Sequence, residues 1–190
     1  MARPKSEDKR NAILAATVKV MAELGAGAPT SKIAREAGIA EGTLFTYFAT
    51  KDELLNQLYL EVKGTLHEKM MDGFPHGAPL RERVHHAWHA YVHWGALDPA
   101  RRKVMQQLTV SEAILPATRI KGAEAFCGIS EMIAESVSVG MLRDQSPDFA
   151  GAIMSSLADM TIDFMLRSPD RKENYCEAGF VAFWNAIGGK

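Results

Sequence analysis

Four of the six histidines in this 190-residue chain fall within nine positions, at His85, His86, His89 and His93. On a helix His85, His89 and His93 line up four apart along one strip, and histidines at i and i+4 can ligate the same metal ion. Three in a row on a straight helix do not all reach one tetrahedral centre, and no Cys or carboxylate is interleaved among them. The strip therefore reads as a polar helix edge, and no metal or other cofactor is assigned to it. The two cysteines, Cys127 and Cys176, lack metal-type spacing and fit an intracellular protein with reduced thiols. An enzyme built on the strip would draw on Glu112 or Asp159 as acid–base partners. No nucleophile motif, phosphate loop or metal signature accompanies them, so no catalytic residue is assigned and the chain does not read as an enzyme.

A second group of residues has the chemistry of nucleic-acid contact. Thr43, Tyr47 and Lys51 stand four apart, and their hydroxyls and ammonium can meet phosphates or base edges. Gly42 lets a backbone come close to another surface, and Phe45 could meet a thymine methyl or equally be packing. Lys51 also begins a helix, where its charge and the free N–H groups together favour a phosphate.

The elements around these residues have the arrangement such contacts need. Thr30 is an N-cap with Ile33, Ala34 and Ala37 as an apolar face behind it, and Gly38 follows where a helix needs a left-handed residue to stop. A second short helix over about Glu41–Phe48 turns Leu44 and Phe48 inward. Two short helices joined by a glycine-containing turn make a helix-turn-helix unit, whose second helix enters the DNA major groove. A preceding helix from about Ser6 to Leu24, stopped by Gly25 and Gly27, supports the pair. Residues 1–8 read as an arm carrying Arg3 and Lys5.

The segment resembles the DNA-binding domain of TetR-family transcriptional regulators. The resemblance rests on Ile33–Ala34, Ala37–Gly38–Ile39, Gly42–Thr43–Leu44–Phe45, Tyr47–Phe48, and Lys51 with Leu54–Leu55. It covers about residues 9 to 60. Ala40 stands where many members have a capping serine, and Phe45 replaces the usual tyrosine and lacks its hydroxyl. The resemblance implies DNA contacts at Thr30, Ser31, Gly42, Thr43, Phe45, Tyr47 and Lys51. It also implies an all-α chain of about nine helices, with a three-helix DNA-binding domain over 1–50 and a ligand-binding and dimerisation domain over 51–190.

Past the motif, Lys51 to about Met71 reads as one long helix with Leu54, Leu55, Leu58, Val62 and Leu66 inside; in the resembling family this helix connects head to body. The Gly- and Pro-rich stretch Asp72–Pro79 reads as a loop and a candidate boundary. Helices are expected over Leu80–Gly95, with Val84, Ala87, Trp88, Tyr91 and Trp94 inward, from Pro99 towards Pro116, from Pro116 to Val139, from Pro147 to Arg167, and from about Arg171 to Ile187. Aromatic and Met side chains among them suit a plastic apolar cavity, and the family resemblance implies an inducer pocket here. Its expected lining is Trp88, Tyr91, Met105, Leu108, Thr109, Glu112, Phe126 and Met132, with Ser111 a further polar liner. The last two helices are apolar on more faces than one monomer covers, which suggests a subunit interface. The residues expected there are Ile153, Leu157, Met160, Phe164, Phe180, Phe183 and Trp184, and the resembling family dimerises through such a four-helix bundle.

Composition agrees with this division. The chain is 47% hydrophobic and 24% charged, the ordinary range for a folded soluble protein. Net charge is −1, yet residues 1–51 hold eight Lys or Arg against five Asp or Glu, and the remainder fourteen against eighteen. A basic N-terminal third on an acidic body suits a small DNA-binding head. The start, MARPKSEDKR, is too polar for a secretory signal, and Asp159 and Asp163 interrupt the most apolar region. The expectation is a cytoplasmic homodimer that binds a double-stranded, pseudo-palindromic DNA operator, most often as a repressor, and is released by a largely apolar small-molecule inducer. A DNA-binding protein of this fold without an inducer would share the head and lack a roomy pocket.

Overall fold

A computed structural model describes residues 6–138 and 140–187. Arg3 and Lys5 of the basic arm, and Val139 at the expected end of a helix, lie outside the described residues. The described chain is all-α: α1 Glu7–Leu24, α2 Thr30–Glu36, α3 Glu41–Tyr47, α4 Lys51–Met71, α5 Leu80–Leu97, α6 Pro99–Thr109, α7 Pro116–Glu124, α8 Cys127–Ser138, α9 Pro147–Arg167 and α10 Lys172–Ile187, with a 3-10 turn at Pro169–Arg171. The expected single helix from Pro116 is two, because the chain turns at Ala125–Phe126. That turn adds the tenth helix. It falls where the chain leaves one compact unit and enters another, which take Ala123 and Glu124 respectively.

The first unit comprises Met1–Gly64 and Pro99–Ala123. Ile13 and Met21 of α1, Ile33 of α2, Leu44 of α3, Leu54 and Leu58 of α4, and Val104 and Leu108 of α6 are fully buried. Burying each such side chain is worth about 1.5–3 kcal/mol. Glu7 and Asp8 start α1 where the helix dipole favours negative charge, and Gly25 at φ 82° ends it. Polar ties fix α6 and α7 into the same unit. Lys103 Nζ donates to the Ala22 carbonyl (2.6 Å), and Arg119 donates to the carbonyls of Thr109 (2.6 Å) and Ser111 (2.7 Å). At Gly122 of α7 an added Cβ would stand 2.8 Å from Tyr59 Cε1, so this glycine permits close approach to α4. The compact grouping thus gives α6, α7 and the first part of α4 to the N-terminal helices.

The second unit comprises Thr65–Asp98 and Glu124–Lys190. Val84, Trp88 and Val92 of α5 pack with Ala158 and Ile162 of α9 and with Cys176, Phe180 and Phe183 of α10, all buried. Trp88 stacks on Phe183 with ring centroids 5.2 Å apart, and its Nε1–H donates to the Cys176 carbonyl (3.0 Å). Ser146 caps α9, its hydroxyl accepting the Phe149 N–H at 3.3 Å. By length and composition α9 could cross a bilayer (Phe149–Arg167, mean hydropathy 1.3). Asp159 stands next to its midpoint, and an aspartate at a bilayer centre costs about 2.5–3.5 kcal/mol.

Candidate nucleic-acid interface

The turn between α2 and α3 is built by the backbone. Gly38 takes φ 68°, a left-handed conformation that costs glycine nothing. Its N–H donates to the Arg35 carbonyl (3.1 Å), and the Ile39 N–H reaches back to Ala34 (3.0 Å). These two bonds form a Schellman motif, satisfying carbonyls that the end of α2 would otherwise leave unpaired. Leu44 and Phe48 then bury themselves and seat α3, while Glu41, Gly42, Phe45 and Thr46 are exposed.

Thr30 plays a different part from the one read in the sequence. Pro29 is the cap residue, and Thr30 is the first residue inside α2, with no capping bond from its side chain. Proline already holds the extended backbone a cap needs (φ −69°, ψ 140°), which leaves the threonine hydroxyl available. That hydroxyl donates to Glu41 Oε1 (2.5 Å), joining the first turns of α2 and α3. Tyr47 is half-buried, and its hydroxyl accepts the Ser6 N–H at the start of α1 (3.1 Å). Thr43 and Lys51 are half-buried and Ser31 is exposed. Lys19 Nζ meets Glu36 Oε1 at 2.6 Å, tying α1 to α2. The hydrogen bond and charge of Glu36 hold that ammonium's pKa above its ordinary value.

The sequence also carries Thr50-x-x-Glu53, the signature of a capped helix start. Thr50 Oγ1 accepts the Glu53 N–H (3.0 Å), and Glu53 Oε2 accepts the Ala49 N–H (2.7 Å). This is a capping box displaced by one residue. It occupies two donors at the start of α4, so a phosphate there would rely on Lys51 and the remaining N–H groups.

Within the second unit an apolar hollow, part of it open to solvent, is lined by Met70, Val84, Ala87, Trp88, Tyr91, Ile129, Ile133, Met154 and Phe183. Its enclosed part is about the size of a single water. Trp88 and Tyr91 were expected in such a lining. Phe126 and Met132 belong to the same unit without lining this cavity, and Met105, Leu108, Thr109 and Glu112 belong to the first unit. The missed liners Ile129 and Ile133 carry the period of α8, whose register the sequence hid by running α7 and α8 together.

Of the residues expected at a subunit interface, Met160 and Phe164 are exposed, and Ile153, Leu157 and Trp184 are half-buried. Phe180 and Phe183 are corrected to core residues, since both are buried against α5 within the chain's own unit. Phe149 (50% exposed) and Val181 (46%) extend the exposed apolar surface of α9 and α10.

The histidine strip acquires carboxylates from α10. Glu177 Oε1 lies 3.0 Å from His85 Nε2 and 2.6 Å from His89 Nε2, and Glu173 Oε2 lies 3.4 Å from His93 Nε2. The His89 hydrogen bond is the largest influence holding the Glu177 pKa below its ordinary value, against the opposing effect of burial.

A family profile described as bacterial regulatory proteins, tetR family, matches residues 13–58. An uncharacterised HTH-type transcriptional regulator of Haemophilus influenzae is 32% identical over 187 residues, 97% of this chain and 98% of that protein. The crystal structure of a TetR family transcription regulator from Marinobacter aquaeolei matches with a TM-score of 0.86 at 22% identity, over 97% of each chain. That of the transcriptional regulator FadR from Bacillus subtilis, in complex with stearoyl-CoA, matches with a TM-score of 0.67 at 22% identity, over 95% of this chain and 98% of that one.

Proposed function

The chain belongs to the tetR family of bacterial transcriptional regulators, and from that premise we propose that its homodimer binds a pseudo-palindromic operator as a repressor and releases it when a small apolar molecule binds. The observation that carries the reading is α3, seated by Leu44 and Phe48 so that Gly42, Phe45 and Thr46 are exposed. Residues 1–50 act as the head, and 51–190 bind ligand and dimerise. Thr30, Ser31, Gly42, Thr43, Phe45, Tyr47 and Lys51 meet the DNA, with the two heads in successive major grooves about 34–36 Å apart. Such a target places the protein's work in the cytoplasm.

The apolar lining around Trp88 and Tyr91 favours an inducer with little polar surface, and the stearoyl-CoA complex of the FadR relative supports a ligand with a long acyl chain. The enclosed part of the cavity is about the size of a single water, so a ligand is accommodated by moving side chains or helices. It acts by binding the DNA-incompetent arrangement more tightly than the competent one. Exposed Met160 and Phe164, with half-buried Ile153, Leu157 and Trp184, make the dimer contact.

Footprinting on the DNA beside the chain's own gene tests the proposal. Protection of a two-fold-related site of two half-sites, weakening steeply with salt, is the expected result. No sequence-specific protection there or at neighbouring promoters would end it. Loss of protection on adding long-chain acyl compounds would support the inducer class.

A further inference from the structure

The histidine strip needs a carboxylate to become a metal site, and the fold supplies it from 92 positions along the chain. We propose that His85, His89 and Glu177 form a binding site for a divalent transition-metal ion of the Zn2+ or Co2+ class, joining α5 to α10 and leaving a position open to water.

The ligands already converge. One ligating atom from each of the three lies within 4.8 Å of the other two, and Glu177 Oε1 approaches both Nε2 atoms to 2.6–3.0 Å. Tetrahedral zinc, with bonds of about 2.0–2.2 Å, sets its ligand atoms about 3.3–3.5 Å apart. Small side-chain rotations therefore open the cluster to an ion, which takes the place of the Nε2–carboxylate hydrogen bonds. Two imidazoles and a carboxylate suit borderline-soft ions and not Mg2+, which prefers oxygen ligands.

The scaffold holds these groups in place. The His85 ring packs edge-on against buried Phe180 (4.5 Å between centroids), and the His89 ring stacks on His93 (5.2 Å). The side chains of His85 (36% exposed) and His89 (29%) leave a hydrated ion access. Glu173, paired with His93, adds negative charge beside the site. A second trio of His89, His93 and Cys176 shares one ligand with the first, so one ion cannot complete both. The Cys176 residue is fully buried, which denies that trio an open position. The occupied site would fix the spacing of α5 and α10, which carry the stacked Trp88 and Phe183 that line the cavity.

The test uses the full, untagged chain after EDTA treatment, titrated with ZnCl2, CoCl2 and MgCl2, and does not depend on the DNA-binding reading. One Zn2+ or Co2+ should bind per chain, with visible Co2+ absorption of a low-coordinate site. At a hundredfold excess over Kd, Tm should rise by roughly 5–10 °C, and Mg2+ should do nothing. Glu177→Gln and His89→Gln, checked by circular dichroism for retained helix, should each weaken binding at least about tenfold, whereas Cys176→Ser should leave it unchanged. No stoichiometric binding at micromolar Zn2+ would overturn the proposal. So would full affinity in Glu177→Gln, or loss of binding in a folded Cys176→Ser.

Discussion

Asn56 of α4 donates through Nδ2 to the carbonyl of Ala113 at 2.8 Å, which fixes the segment between α6 and α7. The same amide donates to the Asp52 carbonyl (2.8 Å) and accepts the Leu115 N–H (3.0 Å), so a buried side chain has its groups matched by three partners. Asn56→Ala leaves the Ala113 carbonyl and the Leu115 N–H without that partner. An unsatisfied buried group costs about 1–3 kcal/mol, and for a chain of this size Tm should fall by roughly 4–10 °C. A thermal melt reads this directly; a change within 1–2 °C would contradict it.

Gly179 is where α10 comes closest to its neighbours. A Cβ there would collide with Thr161 Oγ1 and stand 2.9 Å from Trp88 Cζ2. Both lie in the packed core, so Gly179→Ala should destabilise by about 1–3 kcal/mol. Gly64, within α4, offers the opposite case, since nothing lies within 4 Å of a Cβ built on it. Gly64→Ala should stabilise by about 0.5–1 kcal/mol through helix propensity. Urea midpoints of the pair should move in opposite directions.

The two thiols should differ sharply in reactivity. Cys127 is exposed, whereas burial, followed by the charges of Glu177 and Glu173, pushes the Cys176 thiol up to about 12. A thiol-specific reagent at pH 8 should label one cysteine in the native chain and both after unfolding. The linkage has a defined sign. The unfolded thiol loses its proton near 9.0 and the folded one near 12, so its contribution is complete below about pH 9 and is lost as pH rises through that interval. Cys176→Ala should flatten the stability curve over that range.

On the DNA side, Lys51→Ala should weaken operator binding about equally for all sequences and reduce the slope of log K against log salt by about 0.9 per phosphate contact removed. Leu44→Ala acts differently. It empties a fully buried position and should cost about 2–5 kcal/mol of stability, with DNA binding lost through unfolding of α3. Fluorescence anisotropy at several salt concentrations, with a melt of each variant, separates the two.

The elements of the head were legible because each has local punctuation. Gly38 is needed by the backbone itself, and Leu44 and Phe48 keep helical spacing on the buried side of α3. Thr30 misled because a capping residue type stood one position after a proline that already had the capping conformation. In the second unit the decisive facts are non-local. No helical period in α5 shows that Glu177 will face His85 and His89. Nothing in the spacing of Phe180 and Phe183 says whether they meet α5 of their own chain or a partner. The α7–α8 break has the same cause, since each half packs with its own unit's core.

In α3 the residues that hold the helix and those that are exposed are separate sets. Leu44 and Phe48 do the anchoring with Gly38 before them, whereas Gly42, Phe45 and Thr46 carry none of that burial. On the proposed reading, in which Gly42 and Phe45 meet the DNA, the target sequence could therefore change without re-engineering the fold. A library randomised at 42 and 45 would then sample new specificities on a scaffold of nearly constant stability, so that recognition could evolve, or be redesigned, independently of folding.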